Sequence, residues 1–330
     1  MPPPHPERPA PAAGGPPPAA GGWLVSPWFD ALLLANVAWP LVALLAQAGE
    51  GFGGRAGLQF WQVYYVTTPH RWVTLLLVFG DRDRFRRRRL AFVGVAAAVL
   101  AVCVGVRLTT GALTCLLAVD YVWNAWHFAA QHHGVYRAYG RAADPPDAAG
   151  SAAEKWGMRV FLLYAALRVA TATWPDAFAE QWLRPADWAA LVVPGWLVIR
   201  EVARTGPGSR GRTLYLLSVC VLYAALVAAV HDRRPGLVLA LATASALFHA
   251  TEYLALVSWT VRRRHAAGGG TGVLGAVAVR WGLALAVFVL VLGGGGWLLD
   301  HHHVELWLGA NVVVAFLHYA YDAMIWHRRA

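Results

Sequence analysis

ALTCLLAVDYVWNAWHFAAQHHGVYR, residues 112–137, is an apolar run with a polar stripe inside it. Leu113, Leu116, Leu117, Val119 and Val122 alternate with Asp120, Asn124, His127 and Gln131. At about 100° per residue those four polar positions fall on one helical face within about 60°. About 20 apolar residues in a helix cross a hydrocarbon core. A polar stripe in such a helix turns toward other helices, because lipid offers it no hydrogen bonds. The stretch predicts a membrane bundle with a polar site inside it.

The rest of the chain repeats the pattern. Of 330 residues, 58% are hydrophobic and 14% charged, with a mean hydropathy of +0.45. The expected fold is all-α, a polytopic transmembrane helical bundle of about ten spans: 27–47, 58–80, 90–109, 112–136, 157–174, 187–203, 213–231, 236–260, 273–292 and 304–327. Residues 1–22, rich in Pro, Ala and Gly, read as a disordered tail, and 23–330 as one membrane-embedded domain. Alternate connections (81–89, 137–155, 200–212, 262–265, 328–329) hold 18 Lys and Arg, against 5 in the opposite set. The positive-inside rule then puts both termini in the cytoplasm; the expected location is the inner (cytoplasmic) membrane. The least regular region is 174–187, with Trp174, Pro175, Trp182 and Pro185, followed by a short sixth span. A re-entrant sixth span would reverse everything after it. Gly268–Gly270 and Gly293–Gly296 read as flexible connections.

The net charge of +10 lies in short arginine clusters between spans, so it sets orientation and gives no reason to expect nucleic acid. The 17 tryptophans suit interfacial belts. Cys103, Cys115 and Cys220 all fall in apolar spans without CxxC spacing, as inert packing residues do.

Four histidines define the candidate site. His70, His127, His249 and His318 precede the basic residues closing their spans, Arg82, Arg137, Arg262 and Arg328, by 12, 10, 13 and 10 positions. At about 1.5 Å per residue, the rings lie within roughly 5 Å of one depth. All four spans run from outside to inside. Neutral imidazole is a common ligand for Fe, Zn, Cu and Ni, and needs its other nitrogen held by an amide, carboxylate or carbonyl. Asn124 and Gln131 stand ready for that role. Glu252 and Asp322, each about one turn from a histidine, are candidates for second contacts or acid–base work. Polar stripes recur as Thr67, His70 and Thr74, with Pro69 loosening that turn, as Ser245, His249, Glu252 and Tyr253, and as Asn311, His318 and Asp322.

The same residues are also open to purely structural roles. A single intramembrane histidine is often just hydrogen-bonded across helices. Glu252 or Asp322 can pair with Arg71, Arg168 or Arg280. His132 and His133 either complete a second metal position or sit at the inner interface. Asp300-His301-His302-His303 reads as a solvated outer loop, His327 as interfacial, and His5, His231 and His265 as loop residues.

The motifs TPHRW (68–72), WHFAAQHHGVYR (126–137), FHATEY (248–253) and FLHYAYD (316–322) resemble membrane enzymes that hold iron on intramembrane histidines. They are similar to the Brp/Blh-type carotenoid dioxygenases and, in the histidine cluster, to the fatty-acid desaturase and hydroxylase group. The motifs cover about a tenth of the chain. Desaturases carry two or three clusters near the cytoplasmic face, whereas this chain has one cluster and a deeper layer. The resemblance implies that His70, His127, His249 and His318 bind non-haem iron. The expected function is an oxygenase or related oxidoreductase; its lipophilic substrate, entering from the bilayer, and an electron donor as partner are expected from the buried site and are not part of what the resemblance implies. Haem or another transition metal is the alternative cofactor. An electron-transfer protein, a transporter, or a non-catalytic subunit of a membrane complex is the alternative function.

Overall fold

The computed structural model describes residues 22–48, 60–143, 151–173 and 177–326. Most of the tail, Trp174, Pro175, His327 and Arg328 lie outside them. The described chain is helical and contains no β-strand. Its long elements are α1 (Pro27–Gln47), α2 (Thr68–Phe79), α4 (Arg89–Thr110), α5 (Thr114–Ala142), α6 (Ala152–Thr173) and α7 (Ala177–Ala203). They continue with α8 (Arg210–His231), α9 (Pro235–Ala266), α11 (Trp281–His302) and α12 (Val304–Trp326). The short α3 (Arg82–Arg87) and α10 (Gly272–Ala278) lie between them.

Among the described residues, six helices are long and apolar enough to cross a membrane: α1, α4, α8, α9, α11 and α12. Of the remaining elements α2 is only 12 residues long, and α5, α6 and α7 carry more polar residues. In α5 the polar residues are the stripe and the histidines. In α6 and α7 they include Glu154, Arg168, Glu180, Asp187, Arg200 and Glu201. On α4 and α11 the exposed residues include Leu90, Val93, Leu100, Leu108, Leu283, Val287 and Leu290. Such broad apolar surface fits lipid, not water.

Two bodies of packing meet at α9. One core joins α1, α5, α6, α7, α8 and α9 through Tyr139, Phe161, Tyr215, Leu222 and Phe248. Smaller cores join α2 to α9, α10 and α11 through Val73, Val257 and Trp281, and α2 to α4 and α12 through Val78, Phe92 and Tyr321. The histidine helices α2, α5, α9 and α12 line the seam between them.

Several expectations are corrected. The ninth span is displaced: the chain breaks after α10, and α11 starts at Trp281 with Arg280 as its N-cap. Gly293–Gly296 is not a connection but lies within α11. A Cβ on Gly293 would stand 2.6 Å from the Tyr65 ring, and one on Gly296 would collide with Trp307. These glycines allow close helix packing instead of a turn. Helix α11 also continues through Asp300 and His301 to His302, so the outer polyhistidine run is a helix end, where the Asp300 carboxylate accepts from the Tyr64 hydroxyl. The sixth element is 27 residues long, with Trp182, Pro185 and Pro194 inside it. Gly268–Gly270 does form a non-helical connection, with Gly268 at φ +71° and Gly270 at +95°.

Candidate metal centre

Each histidine reaches the seam from a different helix. A π-helical stretch, Trp61–Thr67, runs into α2, and Pro69 occupies its first turn, where the missing N–H leaves little unsatisfied. His70 follows directly and points inward. His127 and His249 project from the middles of α5 and α9, and His318 from α12. All four are buried; His70, His249 and His318 are at most 1% exposed. Ring centroids are 5.0 Å apart for His70–His318, 5.2 Å for His70–His249, 5.1 Å for His127–His249 and 4.6 Å for His127–His318.

The nitrogens matter more than the rings. His70 Nδ1 contacts the Thr67 carbonyl, which only accepts, so this nitrogen carries the hydrogen. His70 Nε2 is therefore bare, and it is buried without a partner. Both nitrogens of His249 are likewise buried and unpartnered. Phe128 stacks on that ring, and His70 and His127 meet it edge-on. His127 Nε2 and His318 Nε2 face each other at 3.1 Å. Ligand atoms of His70, His249 and His318 lie within 4.8 Å of one another, as do those of His127, His318 and Asp322. Ligands at about 2.1 Å from an ion are at most about 4.2 Å apart, so small side-chain adjustments bring either set onto one cation. Buried polar atoms without partners are rare in folded proteins. This donor set suits a first-row transition metal.

Three polar groups surround the rings. Asp322 faces them, with Oδ2 at 3.8 Å from His127 Nε2 and 3.9 Å from His318 Nε2. Glu252 is buried one turn beyond His249 but engaged elsewhere: Gln131 Nε2 donates to Oε1 at 2.7 Å and the Tyr215 hydroxyl to Oε2 at 2.7 Å. Gln131 also donates to the His249 carbonyl at 3.1 Å, tying α5 to α9. The third group is Asp120, Asn124 and Arg71. The Tyr319 hydroxyl contacts Asp120 at 2.8 Å and Asn124 at 3.0 Å, and Arg71 stands 3.8 Å from Asp120. Asn124 thus orders Tyr319, whose ring lies 5.0 Å from that of His127.

The adjacent pair divides. His132 sits beside Glu252 and Tyr215, its Nδ1 at 3.3 Å and 2.8 Å from them, with its ring 6.3 Å from that of His249. His133, about 100° further round α5, has Arg159, Arg137 and Lys155 as its charged neighbours. Two of the three arginines considered as carboxylate partners pair elsewhere. Arg71 meets Asp120, and Arg168 binds Asp187 and Glu180. Arg280 lies at the end of a groove of about 990 Å³ between α2, α10, α11 and α12, which also takes in Trp72, Leu283 and Trp307. Trp72 is about 200° round α2 from His70, so the groove lies on the far side of that helix.

Tyr215 and Tyr223, from α8, were absent from the sequence-derived site. Part of the signal was available: Tyr223 lies in the middle of an apolar run, away from the ends where interfacial tyrosines collect, whereas Tyr215, near the start of that run, reads as interfacial. Comparison with family models, curated proteins and solved structures gives no match for the chain.

Proposed function

We propose that this chain is an integral membrane metalloenzyme, a non-haem iron-dependent oxygenase acting on a lipophilic substrate. In this reading it crosses the cytoplasmic membrane ten times, with both termini inside, and takes electrons from a separate donor. His70, His127, His249 and His318 would hold the ion, and Asp322 is placed to hold a proton on Oδ2 beside it. The observation that carries the reading is the set of bare, buried nitrogens on His70 and His249, in one layer with His127 and His318. Iron bound there supplies one-electron chemistry toward dioxygen. The protein's own part is to fix the rings, exclude bulk water and admit an apolar molecule from the side. Glu252, Gln131, Tyr215 and His132 form a hydrogen-bonded wall behind His249. Arg71, Asp120, Asn124 and Tyr319 form a second wall beside His127.

The packing favours a bare ion over haem. A porphyrin between His127 and His318 needs a flat slot, and the rings of His70 and His249 lie against that pair.

Metal analysis of the detergent-purified protein tests the proposal, wild type beside His249→Ala and His318→Ala. Near-stoichiometric iron in the wild type, lost from both folded variants, is the expected result. Equal and negligible metal in all three overturns it. Metal other than iron keeps the centre and overturns the oxygenase assignment.

A further inference from the structure

His318 is the member of the cluster whose second nitrogen is tied into a chain of side chains, and that chain has a direction. Its Nδ1 lies 2.7 Å from the Thr74 hydroxyl oxygen. That oxygen lies 2.7 Å from the Tyr253 hydroxyl, which in turn donates to Asp322 Oδ1 at 2.6 Å. Each hydroxyl has one hydrogen to give. The Tyr253 hydrogen goes to the carboxylate, so Tyr253 accepts from Thr74. Thr74 has then spent its own hydrogen and accepts from His318. The hydrogen of His318 therefore sits on Nδ1, and Nε2 is left bare toward His70, His127 and His249. His70 reaches the same tautomer by a shorter route, through the Thr67 carbonyl.

We infer that Asp322, Tyr253 and Thr74 are positioning residues that hold His318 in its Nδ1–H form, so that Nε2 is always available to a metal ion. This rests on the metal reading above. All members are buried, with Thr74, His318 and Tyr253 at 0–2% exposure and Asp322 at 6%, so water does not compete for the bonds. The carboxylate fixes the direction from one end, and α2, α9 and α12 each contribute a link. Asp322 works from both its oxygens: Oδ1 ends the chain, while Oδ2 faces the nitrogens of His127 and His318. Partners of this kind, acting behind a ligand, typically change metal affinity by about 10–100-fold.

Cobalt(II) binding to the purified full-length protein tests the inference, read by chelator competition and by the visible ligand-field spectrum. Thr74→Val keeps the shape and removes the hydroxyl; Thr74→Ser keeps the hydroxyl. The valine variant is expected to bind cobalt about 10–100-fold more weakly with an altered spectrum, and the serine variant like wild type. Tyr253→Phe breaks the same chain, so the double variant with Thr74→Val is expected to be little worse than either single one. Should Thr74→Val fail to fold, Tyr253→Phe decides alone. Wild-type affinity and spectrum in a folded Thr74→Val or Tyr253→Phe protein would overturn the positioning role while leaving the metal centre intact. Absence of cobalt binding by the wild type, matching His318→Ala, would instead remove the metal reading beneath it.

Discussion

Phe128 lies flat on the imidazole of His249, with ring centroids 3.7 Å apart and planes 18° from parallel. Neither nitrogen of His249 has a hydrogen bond, so this contact fixes the ring's plane while leaving both nitrogens free. The other three histidines each have a polar contact at one nitrogen at least.

Phe128→Leu is therefore expected to weaken metal binding without removing it. Losing an aromatic pair costs about 0.5–1.5 kcal/mol, or roughly two- to tenfold in affinity. Chelator competition on the purified variant reads this directly. Affinity equal to wild type would mean that packing on other sides holds the ring.

Glu252 is buried, satisfied by Gln131 and Tyr215, and absent from both groups of converging ligand atoms. Glu252→Gln should retain full metal content. Glu252→Ala strands two buried donors and should lower stability by about 1–3 kcal/mol for each. Metal loss from Glu252→Gln at unchanged thermal stability would place this carboxylate on the ion.

Gly296 packs on Trp307, whereas a Cβ on Gly294 meets nothing within 4 Å. Gly296→Ala should destabilise by about 1–3 kcal/mol through overpacking. Gly294→Ala should be neutral or stabilising, by up to about 1 kcal/mol of helix propensity. Thermal unfolding in detergent compares the two.

Arg168 is fully buried, bonded to Asp187 at 2.8 Å and 3.0 Å and to Glu180 at 2.8 Å. Asp187 is also near His231, at 3.1 Å. Arg168→Met leaves Asp187 buried beside a weaker partner and should cost about 3–5 kcal/mol. Glu180→Gln, at a site with 26% of its side chain exposed, should cost far less. Metal content of folded protein should be unchanged in both, since this cluster joins α6, α7 and α8, away from the rings.

Ten spans with both ends inside predict opposite sides for the two ends of α9. Single cysteines replacing Arg233 and Arg263, in a background without Cys103, Cys115 and Cys220, should label from the outside and the cytoplasm respectively. Labelling of both from one side would break the alternation between α8 and α9.

A common level along the helices was legible in the sequence because a helix converts residue counts into distance, and the polar stripes gave the inward faces; which side chains meet was not legible. The offsets of His70, His127, His249 and His318 place them in one layer, but only packing decides whether rings at one depth meet. His132 and His133 show the limit, since their 100° separation sends one toward Glu252 and the other toward Arg159. Gly293–Gly296 misled because glycine weakens a helix in isolation, while here Tyr65 and Trp307 need its missing side chains. Tyr215 and Tyr223 were overlooked because α8 carries no histidine in its apolar stretch. Tyrosines outside the interfacial belts belong in any search for buried polar sites.

The contact between Thr74 and His318 spans 244 positions and joins α2 to α12. As the chain is made in order, His70 and His127 are in place long before His249 and His318 follow. Their layer closes only when α12 packs against α2 and α5. An ion captured there would act as a clasp between segments about 190 to 250 positions apart.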